Sequence, residues 1–275
     1  MYINNFLDHL KNNTPLLNTF YAALFIWIMT TAGASLVFFV KKTNKKILET
    51  MLGFAAGIMI AASFWSLLSP SLEMSENLGL PKWVPPTIGF LLGGIFLRVM
   101  DAVIPHQHWG ADEKEIEGIP TNLKTNTLLL LAVTLHNIPE GLAVGVAFGA
   151  LVKNSSLAAL TGAFSLALGI GIQNFPEGSV VSLPLRAGGI KKMKSFFYGM
   201  LSGAVEPITA ILGFFFVTTF QKILPYALSF AAGAMIYVVV EEVIPESQRG
   251  DNTDLATMSL MIGFVVMMIL DVAFS

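Results

Sequence analysis

Of 275 residues, 54% are hydrophobic and 12% are charged, about half the charged share of a soluble globular domain, and the mean hydropathy is +0.69. A net charge of −2 offers no basic stripe, which argues against a nucleic-acid partner. The absence of cysteine excludes disulfides, zinc–thiolate sites and thiol catalysis.

A helix needs about 20 mainly apolar residues to cross a hydrocarbon core of roughly 30 Å. Eight runs meet that length, at about 16–40, 47–71, 83–104, 125–151, 155–185, 195–219, 223–245 and 254–274. They lack the alternation of a membrane barrel. The first is too long for the apolar part of a signal peptide, and polar Asn and Asp residues precede it instead of basic ones. The sequence therefore predicts an all-α integral membrane protein, eight transmembrane helices in a single domain over residues 1–275, with the lipid bilayer as its first partner.

In chain order, span 2 carries Phe54-Ala55-Ala56-Gly57-Ile58-Met59-Ile60, then Ser66 and Ser69-Pro70-Ser71-Leu72-Glu73. Span 3 runs from Gly89-Phe90 to Arg98 and Asp101, a spacing that suits an ion pair. The polar segment 105–124 reads as a cytoplasmic loop. It holds His106-Gln107-His108 with Asp112, Glu113, Glu115 and Glu117, where a solvated loop is a plainer reading than a weak metal site. Span 4 contains Leu135-His136-Asn137-Ile138-Pro139-Glu140-Gly141, and span 5 contains Ile172-Gln173-Asn174-Phe175-Pro176-Glu177-Gly178. Glu206-Pro207 lies in the middle of span 6. Span 7 returns to Phe230-Ala231-Ala232-Gly233-Ala234-Met235-Ile236, followed by Glu241, Glu242 and Ile244-Pro245-Glu246, and span 8 runs from Gly263-Phe264 to Asp271.

Spans 1–3 and 6–8 thus read as copies, and the odd number of crossings between them makes an inverted repeat around spans 4 and 5. Runs of small residues also arise as ordinary helix-packing surfaces, which is the competing explanation. Basic residues set the orientation. Lys41, Lys42, Lys45, Lys46, Lys114, Lys124, Arg186, Lys191, Lys192, Lys194 and Arg249 fall on one side, against Lys11, Lys82, Lys153 and Lys222 on the other. Both termini are therefore expected on the extracytoplasmic side.

The paired motifs carry the chemistry. A proline inside a helix removes one N–H and disturbs the carbonyl four residues earlier. Pro139 and Pro176 are thus expected to break their helices, freeing the carbonyls of Leu135 and Ile172, with Gly141 and Gly178 loosening the next turn. His136, Asn137 and Glu140 share one helical face, and Gln173, Asn174 and Glu177 repeat that face. Glu206 adds a third carboxylate. Ionisable groups at mid-membrane cost at least ~2.5–3.5 kcal/mol each, and a divalent cation offsets that cost. Imidazole with carboxylate suits Zn²⁺, Fe²⁺, Mn²⁺ or Ni²⁺, whereas an all-oxygen set suits Mg²⁺ or Ca²⁺. Met59 would soften the site further. A hydrogen-bonded network that only holds helices together explains one such residue better than a duplicated set.

These residues resemble the ZIP (Zrt/Irt-like protein) family of divalent-metal transporters, in particular its GufA-like branch, over essentially the whole chain. The resemblance implies a binuclear site for transported metal. One position would use His136, Glu140, Gln173 and Glu177 with Met59 nearby; the second would use Asn137, Asn174 and Glu206, bridged by Glu140 and Glu177. Some members carry Asp where this chain has Asn174, so the second position has one fewer formal charge and is expected to fill less tightly. The family picture also implies a homodimer, and spans 1, 4, 5 and 6 moving against 2, 3, 7 and 8.

The resulting expectation is passage of a divalent metal, Zn²⁺ or else Fe²⁺, Mn²⁺ or Cd²⁺, toward the cytoplasm across the plasma (cell inner) membrane, without an enzyme cofactor. Glu73 and Asp271, with Ser66, would form the outer mouth, and Glu241 and Glu242 the exit, with Asp101 at the same end. An intramembrane metalloenzyme using the same His/Glu-bound metal competes, although the chain has no H-E-x-x-H. A proton- or Na⁺-coupled carrier of organic solutes is the third reading.

Overall fold

Two helices begin on side chains that suit their ends. Thr14 and Ser156, both extended, accept from the backbone N–H of Leu17 at 3.3 Å and Ala159 at 3.2 Å, which satisfies one orphan donor of each first turn. The computed structural model describes residues 13–40, 44–76, 78–106, 118–119, 121, 125–153 and 155–274. Gln107, His108, Asp112, Glu113, Glu115 and Glu117 of the polar loop lie outside the described residues.

Among the described residues, eight helices are long and apolar enough to cross a membrane. They are α1 (Pro15–Phe38), α2 (Lys45–Ser75), α3 (Val84–Val103), α4 (Thr125–Ala150), α5 (Leu157–Ala187), α6 (Lys192–Thr219), α7 (Leu224–Ser247) and α8 (Thr253–Phe274). Two of them widen to π geometry, α2 at Ser63–Leu68 and α7 at Val239–Val243. Short π segments inside α-helices often accompany functional sites.

Glycines bring the helices together in pairs. A Cβ added at Gly53, Gly57 or Gly263 would strike the facing backbone of the α2–α8 pair, at Ala256, Leu260 and Phe54. In α3–α7 the same holds for Gly89 against Tyr226, Gly93 against Phe230 and Gly233 against Phe90. Gly33 meets Phe175 and Gly178 meets Thr30 between α1 and α5, while Gly141 meets Glu206 and Gly145 meets Ala210 between α4 and α6. Such close approach is how small residues stabilise helix pairs where no hydrophobic effect drives association. Between pairs, Phe148 of α4 meets Phe164 of α5 edge-on at 5.0 Å. The faces of α3 and α8 present Leu91, Ile95, Val99, Met258, Ile262 and Val272 outward, a surface suited to lipid or to another apolar protein face.

The expected breaks at Pro139 and Pro176 are corrected by the structure. α4 and α5 run as helix straight through both prolines. The discontinuity falls instead in α6, at Gly203–Ala204, between Lys192–Ser202 and Val205–Thr219. One lost hydrogen bond does not end a helix whose neighbours hold it on both sides of the proline, as TM prolines commonly show. The role expected of Gly141 and Gly178 changes with it. They do not loosen a turn; they let Glu206 and Thr30 pack backbone-close against the motif helices.

Candidate functional site

The break in α6 builds one edge of the site. Ser202 ends the first half-helix, and its carbonyl accepts from the Asn137 Nδ2 amide of α4 at 3.0 Å. Glu206 lies in the first turn of the second half-helix, where the aligned N–H dipoles favour a carboxylate. Its Oε1 accepts from the Thr30 hydroxyl of α1 at 3.2 Å. On the other motif helix, Asn174 Nδ2 donates to the Ile26 carbonyl of α1 at 3.4 Å. Gln173 Nε2 donates to Glu140 Oε1 at 2.5 Å, which ties the two motifs together.

Glu140, Glu177 and Glu206 lie within electrostatic reach of one another. Asn137, Glu140, Gln173, Asn174 and Glu206 are fully buried, and Glu177 nearly so. Each of these six side chains leaves one oxygen without a hydrogen-bond partner: Asn137 Oδ1, Glu140 Oε2, Gln173 Oε1, Asn174 Oδ1, Glu177 Oε2 and Glu206 Oε2. The amide nitrogens are engaged by the Ser202 and Ile26 carbonyls and by Glu140, Asn174 also stands beside Glu206, and the Glu140 and Glu177 carboxyl groups stand together. Buried polar atoms are almost always satisfied, and an orphan in a native interior points to an unseen water or ion.

The sequence-predicted residues do not all converge. His136 turns its Nε2 to the Glu242 carboxylate of α7, and among the described residues no three His, Cys, Asp or Glu side chains already stand together as a metal shell. Met59 is fully buried within the apolar core. Glu242 is buried whereas its neighbour Glu241 is exposed, so the two acids part company on the π segment of α7. Asp101 is buried and holds both Arg98, at 3.3 Å, and His106 Nε2, at 2.9 Å.

At the opposite end, Ser66, Glu73 and Asp271 line one cavity of about 450 Å³, walled by Trp65, Ala147 and Ala163 among others. Ser66 donates to Asp271 Oδ1 at 2.6 Å, and Ser165 of α5 donates to the same oxygen at 3.3 Å. Ser165 was missed in the sequence, although it stands on the helical face of Gln173, two turns earlier. Thr30, too, was missed, because a lone hydroxyl in an apolar span carries no motif. The Ile26 and Ser202 carbonyls have no sequence signal at all.

The comparisons with known proteins agree on a family. The family model described as ZIP Zinc transporter matches residues 16–125 and 105–271. The chain is 39% identical to the zinc transporter ZIP11 of Bos taurus, over 96% of this chain and 99% of that protein. It is 38% identical to the zinc transporter GufA of Myxococcus xanthus, over 92% and 97% of the two chains. With the zinc transporter ZIPB of Bordetella bronchiseptica it shares 35% identity, over 89% of this chain and 77% of the other.

Proposed function

The chain belongs to the ZIP zinc transporter family, and on that premise we propose that it carries divalent metal ions, Zn²⁺ first, across its membrane through the cluster around Glu140 and Glu177. The observation that carries this reading is the set of six buried oxygens, from two motif helices and α6, that have acceptors' lone pairs and no donors. Cations bound among them would satisfy these oxygens, and three carboxylates supply the charge that offsets desolvation. His136 supplies the nitrogen that inclines the set toward Zn²⁺ over Mg²⁺ or Ca²⁺. The metalloenzyme reading finds no support in a family of transporters.

The ion enters from the cavity at Ser66, Glu73 and Asp271, where Asp271 is already oriented by two hydroxyls. Glu242 faces the His136 imidazole, so an ion that takes His136 as a ligand competes with Glu242 for it. The ion leaves past Glu242 with Asp101 nearby, toward the cytoplasm. Two ions share the site through Glu140 and Glu177, and the working form is a homodimer in the plasma membrane with extracytoplasmic termini. The matched contacts of α1 on α5 and α6 on α4, and of α2 on α8 and α7 on α3, support the inverted repeat.

Zinc uptake into liposomes containing the purified chain tests the proposal. Wild type accumulates Zn²⁺, and Glu140→Ala and Glu177→Ala stay folded and do not. Wild-type uptake by both variants would overturn it.

A further inference from the structure

We propose that Thr30 of α1 is a positioning and specificity-determining residue of the metal site, holding Glu206 so that a single carboxylate oxygen faces the ion; this rests on the transport reading above. α1 carries none of the motif, yet its contacts with α5 repeat those of α6 with α4. Asn137 donates to Ser202 O and Gly141 packs on the Glu206 backbone. Asn174 donates to Ile26 O and Gly178 packs on the Thr30 backbone. On each partner helix the residue under the glycine comes one helical turn after the carbonyl that the asparagine holds. Thr30 therefore stands to the α5 motif as Glu206 stands to the α4 motif.

The two equivalent residues touch each other. Both are fully buried, and the Thr30 hydroxyl donates to Glu206 Oε1 at 3.2 Å, leaving Oε2 without a partner. The hydroxyl also lies 3.3 Å from the Ile26 carbonyl of its own helix, and β-branching restricts its rotamers. Gly203, at the break in α6, makes room for the pair. A Cβ there would meet Glu206 Oε1 at 2.9 Å and Thr30 Cβ at 3.0 Å.

An ion chelated by both oxygens of Glu206 would have to share Oε1 with the Thr30 hydroxyl, whereas one bound through Oε2 would not. A one-oxygen carboxylate suits the few, short bonds of Zn²⁺, whereas two-oxygen chelation suits larger cations with more ligands. Thr30 thus biases the site toward the smaller ion. It also leaves α1 neutral where α6 is acidic, so the site holds three carboxylates and not four.

Calorimetric titration of the purified full chain with Zn²⁺ alone and with Cd²⁺ alone tests this, using wild type, Thr30→Ser and Thr30→Val. Thr30→Val is expected to weaken Zn²⁺ binding by roughly tenfold, the scale of a hydrogen bond to a charged group, and to weaken Cd²⁺ less. Thr30→Ser is expected to keep both the Zn²⁺ affinity and the Zn²⁺/Cd²⁺ ratio near wild type. An unchanged ratio in Thr30→Val, or equal damage in Thr30→Ser, would overturn the role of Thr30 and leave the transport reading standing. If Thr30→Val does not fold, Thr30→Ala is read by the same two outcomes. Failure of folded wild type to bind Zn²⁺ at all would overturn the transport reading itself, and this role with it.

Discussion

The two motif helices are alike in their backbone dealings and unlike in their chemistry. In each, the asparagine amide donates to a carbonyl of a partner helix, the glycine admits that partner's backbone, and the glutamate leaves Oε2 without a partner. The copies diverge at the first motif position. His136 reaches out of the pair to Glu242 on α7, while Gln173 reaches across to Glu140. They diverge again in their partners, an unbroken α1 with Thr30 against a broken α6 with Glu206. The duplicated contacts set how each motif helix meets its partner, and the departures give the two copies different polar neighbours.

What the copies share gives the largest expected effects. Glu140→Ala and Glu177→Ala should each reduce zinc uptake into liposomes to the level of empty vesicles. The glycines come next and separate the copies. Gly178 faces only backbone, at Thr30 O and Ala34 N, so Gly178→Ala should destabilise by about 3 kcal/mol, at the upper end of overpacking costs. Gly141 faces the movable Thr209 hydroxyl as well as the Glu206 backbone, so Gly141→Ala should cost about 1–2 kcal/mol. Adding Thr209→Ala should recover part of that second loss and none of the first. Thermal unfolding in detergent reads the two single variants and the two double ones.

Making the motifs equal tests the asymmetry directly. His136→Gln should raise the zinc Kd by roughly tenfold, equivalent to about 1.4 kcal/mol, and release α4 from Glu242; unchanged affinity would show that the imidazole is not a ligand. Asn174→Asp replaces the donor to Ile26 O with a carboxylate against a carbonyl, lowering stability without metal by about 1–3 kcal/mol. The added charge should enlarge the stabilisation produced by zinc, and a melting series with and without Zn²⁺ separates the two effects. The smallest change is expected from Ser66→Ala, because Ser165 still donates to Asp271. Its uptake should fall by about threefold or less, the scale of one hydrogen bond of about 0.5–1 kcal/mol.

The eight helices were legible because run length and hydropathy are local properties of the chain, and a bilayer's thickness makes them decisive. The shared face of His136, Asn137 and Glu140, and its repeat in Gln173, Asn174 and Glu177, followed from helical period alone. The position of the break did not. Pro139 and Pro176 carry the local signal for one, yet packing through Gly141 and Gly178 keeps their helices whole, and α6 opens at Gly203, where Glu206 and Thr30 need the space.

By itself the sequence determined the all-α membrane architecture and the helical faces that carry the paired motifs, because hydrophobicity and residue spacing act within a single helix. Only the tertiary structure decided which carbonyl each asparagine holds, that His136 meets Glu242, and that Thr30 faces Glu206. Those pairings depend on how closely two helices approach and in what register, and glycine contacts between distant parts of the chain set both.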